Sequence, residues 1–88
     1  MYYTYILKSK KRSHLYIGYS KNIKRRLRRH NQGKCSSSKR YAPYELIYYE
    51  AFIHRKDAKN REKYLKSGWG RKSLKNLLAY YLEEKSIN

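Results

Sequence analysis

Carboxylates are scarce in this chain: 6 Asp and Glu stand against 23 Lys and Arg in 88 residues, a formal net charge of +17. Self-repulsion at that density works against a compact fold, which makes a polyanionic partner the natural explanation. Nucleic acid comes first and an anionic membrane surface second. No apolar run approaches the ~20 residues of a spanning helix, and no N-terminal stretch has the apolar core of a signal peptide. The expectation is therefore no membrane partner and a cytoplasmic location. The one cysteine, Cys35, excludes an internal disulfide. It lies in a polar loop without Cys or His at ligand spacing, which argues against a zinc site. Phe and Trp occur once each, whereas tyrosine occurs 12 times. Tyrosine lines a core while its hydroxyl stays wet, stacks on bases, or takes part in proton transfer. A chain this short makes one domain, near the lower limit for a single core. Its expected extent is residues 1–84, with 85–88 a short tail.

What is present is organised around Leu15–Gly33, LYIGYSKNIKRRLRRHNQG. Leu15, Tyr16, Ile17 and Tyr19 suit a half-buried strand. Gly18 permits a close backbone approach. Ser20 or Asn22 serves to cap the helix that follows, and Gly33 stops it. At roughly 100° per residue, Ile23, Leu27, His30 and Arg26 share one stripe, while Lys24, Arg25, Arg28 and Arg29 point away. Arg26 at the edge of a buried stripe either awaits an anion or snorkels its head to water.

The rest of the chain is read around that unit. Tyr2–Leu7 forms a first strand, with Tyr3, Tyr5 and Leu7 on one face. It pairs with Leu15–Tyr19 as an antiparallel hairpin. Lys34–Pro43 is a polar, basic loop, read as a plain linker or as a surface tracking phosphates, with Lys39 and Arg40 its nucleic-acid contacts. Glu45–Ile53 is a third strand, with Leu46, Tyr48 and Phe52 on one side and Ile47, Tyr49, Ala51 and Ile53 on the other. Arg55–Ser67 is a helix with Asp57 in its first turn. Ala58 and Leu65 mark its inner stripe, Glu62 lies between them, and Gly68 ends it with Trp69 in the break. Ser73–Leu82 is a third helix that packs Leu74, Leu77, Leu78 and Tyr81 inward. The order ββαβαα gives a small α/β (α+β) domain: a three-stranded antiparallel sheet flanked by three helices.

Tyr5 and Tyr16 on neighbouring strands, Arg26 and His30 one helical turn apart, and Glu62 mid-helix form a set with a chemical meaning. Hydrolysis of a phosphodiester needs a positioned water, a group to take its proton, and cations for the developing charge. Mg²⁺ is commonly held by one or two carboxylates with waters and substrate oxygens. Each residue also has a plainer reading. A strand tyrosine is usually structural, Glu62 stands at i,i+4 from Lys66, and a basic helix face is usually solvated.

Taken together, YIG at Tyr16–Gly18 followed by S-x-N-I-x-x-R-L-x-x-H through His30 resembles the second half of the signature of the GIY-YIG endonuclease superfamily. Tyr3-Thr4-Tyr5 resembles the first half, with Tyr3 where that triplet has glycine. The likeness continues through ELIYYEAF and RKDAKNREKYLKSG and is strongest to small stand-alone bacterial members. It implies the same sheet-and-helix fold and DNA cleavage with one divalent ion, Mg²⁺ or Mn²⁺. It implies that Tyr16 helps to activate the attacking water and that Tyr5 hydrogen-bonds near the phosphate or the water. Arg26 binds the phosphate, His30 assists proton transfer or orientation, and Glu62 holds the metal. Gly18 serves backbone shape. The family often adds a late asparagine; Asn76 is a candidate left outside this set.

Three readings follow. The first is a metal-dependent endonuclease on DNA, branched, nicked or single-stranded, selective for structure rather than sequence. The second is a non-catalytic basic module that grips a nucleic-acid backbone and stacks bases. The third is a nuclease fold kept as a scaffold. Lys24, Arg25, Arg28 and Arg29 serve all three.

Overall fold

The computed structural model describes residues 1–87, with side chains described through Lys85. Its middle strand, β1 (Tyr2–Ser9), pairs antiparallel with β2 (Leu15–Ser20) on one edge and with β3 (Tyr44–Phe52) on the other. A central strand needs apolar residues on both faces, and β1 supplies them. Tyr5 and Leu7 join Tyr44 in one core cluster, while Ile6 joins Ile17, Leu65 and Leu74 in a second. Helix α1 (Ile23–Asn31) covers the first cluster with Ile23 and Leu27. Helices α2 (Arg55–Lys66) and α3 (Gly68–Leu77) cover the second through Leu65 and Leu74. Thr4 fastens α2 to the sheet, donating its hydroxyl to the Ala58 carbonyl at 2.6 Å. The fold is α+β, with the hairpin, the central helix and the third strand in the expected order.

The C-terminal helices depart from expectation. The described residues form four α-helices, α4 running over Ala79–Ile87, where the sequence suggests three. Ser67 caps both neighbours at once: its backbone N–H closes α2, and its hydroxyl accepts from the Gly70 N–H at 3.1 Å. Gly68 therefore opens α3 instead of ending α2, and Trp69 lies exposed in the first turn of α3 instead of in a break. The expected helix Ser73–Leu82 is divided at Leu78, the C-cap of α3. Leu74 and Leu78 pack inward, but Leu77, expected beside them, is exposed. Tyr81 reaches back to β3, donating to Glu45 Oε1 at 2.6 Å. The expected tail is helical as far as Ile87, and Asn88 lies outside the described residues.

Strand β3 also departs from simple alternation. Its register against β1 shifts between Ile6 and Leu7: Ile6 faces Tyr48, and Leu7 faces Leu46. The intervening Ile47 is the extra residue of a bulge, which breaks the period of two. Leu46 thus packs with Tyr5 and Leu7, while Ile47 and Tyr48 both pack toward Ile6. The expected grouping of Leu46 with Tyr48, and of Ile47 with Tyr49, fails for that reason.

Candidate active site

The first α1 turn and the β2 exit fix where the site forms. Asn22 is the N-cap, its side chain accepting from the Arg25 N–H at 3.1 Å. Ser20 braces that cap, accepting from the Asn22 N–H at 2.9 Å. Gly33, at φ 72°, turns the chain out beyond the last turn, a conformation glycine adopts without strain. Between them α1 keeps the expected stripe: Ile23 and Leu27 pack inward, His30 is fully buried and Arg26 is half-buried. Lys24, Arg25, Arg28 and Arg29 are exposed.

Tyr5 lies against Gly18, its partner across the hairpin. A Cβ on residue 18 would stand 2.5 Å from Cζ of Tyr5, so the glycine is a space requirement of the tyrosine. Its phenol is turned to His30, 2.9 Å from Nε2. On the other side of the ring, Nδ1 lies 2.5 Å from Ser38 Oγ, and that hydroxyl points on to the Cys35 carbonyl at 3.4 Å. Burial above all, with Arg26 and then Arg29 adding repulsion, lowers the His30 pKa below its ordinary 6.5. A neutral imidazole has one donor and one acceptor. With Ser38 donating to Cys35, Nδ1–H donates to Ser38, and Nε2 accepts from Tyr5. Burial, with Tyr16 adding to it, raises the Tyr5 pKa. Tyr5 is therefore a neutral donor at physiological pH. Only 2% of it is exposed, and its hydroxyl is engaged by His30. Tyr16 stands beside this pair, its ring 4.6 Å from that of His30 and 6.4 Å from that of Tyr5.

Next to the aromatic cluster is a polar crevice of about 190 Å³, lined by Ser20, Asn22, Arg25, Arg26 and Arg29. Arg26 belongs to both: it lines the crevice and acts electrostatically on Tyr5 and His30. Arg25 and Arg29, expected only on the solvated face, line the crevice as well. Lys39 and Arg40 are exposed on a 3₁₀ turn, Lys39–Tyr41.

Glu62 comes from α2, on the opposite face of the sheet from α1, and its charge is felt at the Tyr5 hydroxyl. Its Oε2 is paired with Lys66 Nζ at 2.9 Å, one helical turn on. Other carboxylates have structural partners. Glu50 takes Arg61 through both oxygens, at 2.8 and 3.1 Å, and the Tyr48 hydroxyl at 2.6 Å. Glu45 takes the hydroxyl of Tyr81. Asn76 is exposed on α3.

Comparison with known proteins fits this arrangement. The GIY-YIG catalytic domain matches residues 1–76. The chain belongs to that family. A UPF0213 protein of Clostridium perfringens is 40% identical over 68 residues, 75% of this chain and 71% of that one. A UPF0213 protein of Staphylococcus saprophyticus is 39% identical over 75 residues, 84% and 90% of the two chains. The solution NMR structure of a UPF0213 protein from Bacillus halodurans superposes with a TM-score of 0.53 at 31% identity, covering 88% of this chain and 85% of that one. The fold is thus that of a GIY-YIG domain, and the family is one of nucleases.

GIY-YIG nucleases generally use a divalent metal, and the donor set here fits a hard one. Among the described residues no group of three or more His, Cys, Asp or Glu is clustered to enclose an ion. Glu62, whose charge acts on the Tyr5 hydroxyl, is a single carboxylate, a donor type that suits Mg²⁺ or Mn²⁺ with water and substrate oxygens and does not suit zinc. Sequence reasoning missed Ser38 and Tyr44. The loop from Lys34 to Pro43 is not a plain linker. Ser38 is buried, Tyr44 donates its hydroxyl to the Ser38 carbonyl at 2.9 Å, and Ser9 donates to the Tyr41 carbonyl at 2.6 Å. Asn31 clamps the backbone of Tyr44 from both sides, at 2.6 and 3.1 Å. Nothing in a run of three serines marks the third as the one that meets a histidine.

Proposed function

We propose that this protein is a metal-dependent endonuclease that hydrolyses DNA phosphodiester bonds, selecting for DNA structure rather than for sequence. The observation that carries the reading is the joining of a buried, neutral His30–Tyr5 pair to an arginine crevice through Arg26. Arg26 holds the scissile phosphate and offsets charge gained on its oxygens as water attacks, with Arg25 and Arg29 beside it. Tyr16 accepts a hydrogen bond from the attacking water and orients it in line with phosphorus. As the new P–O bond forms, the bond to the sugar oxygen breaks, the water's proton passes to solvent and the leaving oxygen takes one from solvent. His30 and Tyr5 act behind Tyr16: the imidazole holds the Tyr5 hydrogen, which fixes the phenol against Gly18. Glu62 would hold one Mg²⁺ or Mn²⁺, which supplies Lewis-acid neutralisation of the phosphoryl group when bound.

The Lys66–Glu62 pair favours a second reading, a basic module that binds DNA without cutting it, because the carboxylate already has a cation. One experiment decides. Supercoiled and branched DNA are incubated with wild type, Glu62→Ala and Arg26→Ala, with and without Mg²⁺ or Mn²⁺. The nuclease reading expects metal-dependent nicking by wild type alone, with DNA binding retained by Glu62→Ala. Equal nicking by Glu62→Ala, or none by any protein, rejects it.

A further inference from the structure

Sharing Asn22 with the arginine crevice is an open groove of about 380 Å³, lined by Tyr3, Ile23, Leu46 and Tyr49 together with Lys21 and Lys24. The volume is in the range of small-ligand sites. Its floor is the face of the sheet that carries Tyr5, but α1 covers only part of that face. Tyr49 pairs with Tyr5 across the strands, yet is 53% exposed. The Tyr3 and Tyr49 rings meet edge to face at 5.9 Å, so the two aromatic side chains brace one another where both line the groove. Among the described residues no carboxylate lines it. An apolar slot with an aromatic wall and a purely cationic rim matches a planar ring that carries an anion, not an aliphatic or acidic side chain.

We infer that this groove takes one unpaired nucleobase, stacked on Tyr49, with its own phosphate on Lys21 and Lys24. Asn22 lines both the groove and the crevice, so consecutive nucleotides of one strand fill the two sites. The inference rests on the proposed function, since it takes the crevice as the phosphate site. It adds that the substrate presents an unstacked base beside the bond that is cut, as a flap, a gap or a single strand does and a continuous duplex does not. Stacking on an aromatic side chain tolerates any base, in keeping with selection for structure over sequence.

The test needs no catalysis and is made in EDTA. A duplex with a short single-stranded flap carries 2-aminopurine at its first unpaired position, and a fully paired duplex of equal length is the control. Wild type is expected to quench the probe and to prefer the flap. Tyr49→Leu should lose the quenching and bind the flap about tenfold or more weakly, as loss of one stacked base implies. Its affinity for the paired duplex should not change, and Tyr49→Phe should behave as wild type. Lys24→Gln, at an exposed rim position, should weaken flap binding while quenching persists at saturation. Unaltered quenching in Tyr49→Leu overturns the inference, as does an equal loss of affinity for both DNAs. So does a groove filled by a second copy, seen as a dimer that Tyr49→Leu dissociates. Failure of the nuclease reading shows elsewhere, as absent cleavage with quenching intact.

Discussion

The Tyr5 ring occupies the space in which a side chain of residue 18 would sit. A Cβ there would lie 2.5 Å from Cζ and 2.9 Å from Cε2 of the ring. Gly18→Ala must therefore displace the phenol from His30 Nε2. Overpacking of this kind costs about 1–3 kcal/mol, and cleavage should fall with it. In a Tyr5→Leu background the same change should cost less. The difference, a coupling of roughly 0.5–3 kcal/mol, is measured by urea denaturation of the four proteins in the cycle. Strictly additive costs would mean that the glycine serves the backbone alone.

A second glycine pair separates packing from helix propensity within one turn. At Gly70 a Cβ would stand 2.5 Å from the Leu65 Cα, where α3 crosses α2, and backbone cannot move aside as a side chain can. At Gly68 nothing lies within 4 Å. Gly70→Ala should destabilise by about 1–3 kcal/mol or more. Gly68→Ala should be neutral or stabilise by up to about 1 kcal/mol, since alanine is the better helix former. Melting temperatures of the two proteins, about 4–8 °C apart for each kcal/mol in a domain of this size, should move in opposite directions or leave Gly68→Ala unmoved.

The parts legible in the sequence are those written locally. The α1 stripe, the Asn22 cap and the β1–β2 pairing follow from spacing and cap chemistry alone. The side chains of Tyr5, Arg26 and His30 converge because strand and helix periods place them on facing surfaces. What was illegible depends on distant partners. The bulge at Ile47 exists because β3 must meet β1 on both sides of it, so alternation within β3 alone misassigns Leu46. Ser67 caps two helices at once, which no single-helix reading anticipates. Ser38 is one of several serines until the chain folds it onto His30.

Acid should unfold this protein in two stages, and the upper one belongs to His30. Its pKa is depressed in the folded state, chiefly by burial, so between that value and 6.5 the unfolded chain binds the extra proton. Stability then rises with pH through this window. The contribution is complete above 6.5 and is lost as pH falls through the folded value. The Glu45 pKa is lowered chiefly by the Tyr81 hydrogen bond. For Glu50 burial pushes upward, but Arg61 and Tyr48 hold it low. Their losses come below 4.5. Urea midpoints measured from pH 7.5 to 3 should decline for wild type in both windows. For His30→Gln they should show no decline from this residue, with the lower stage retained. An unchanged slope in the variant would place the acid sensitivity elsewhere.

If phosphates are gripped by α1 and not by charge spread over the whole surface, salt dependence should be local. Lys24, Arg25, Arg28 and Arg29 are exposed on that helix, on the Tyr5 face, whereas Lys72 is exposed on α3, which packs on the Ile6 face. Each neutralised phosphate adds about −0.9 to the slope of log K against log salt. Arg28→Gln should therefore reduce the steepness by about 1 while leaving preference among DNA sequences unchanged. Lys72→Gln removes the same formal charge from the other face, so net charge cannot account for a difference between them. Its slope should match that of wild type. Equal reductions from both substitutions would show that the +17 charge acts as a diffuse field. Unequal ones locate the DNA path on the helix that also carries Arg26, which is where hydrolysis at the crevice requires it to run.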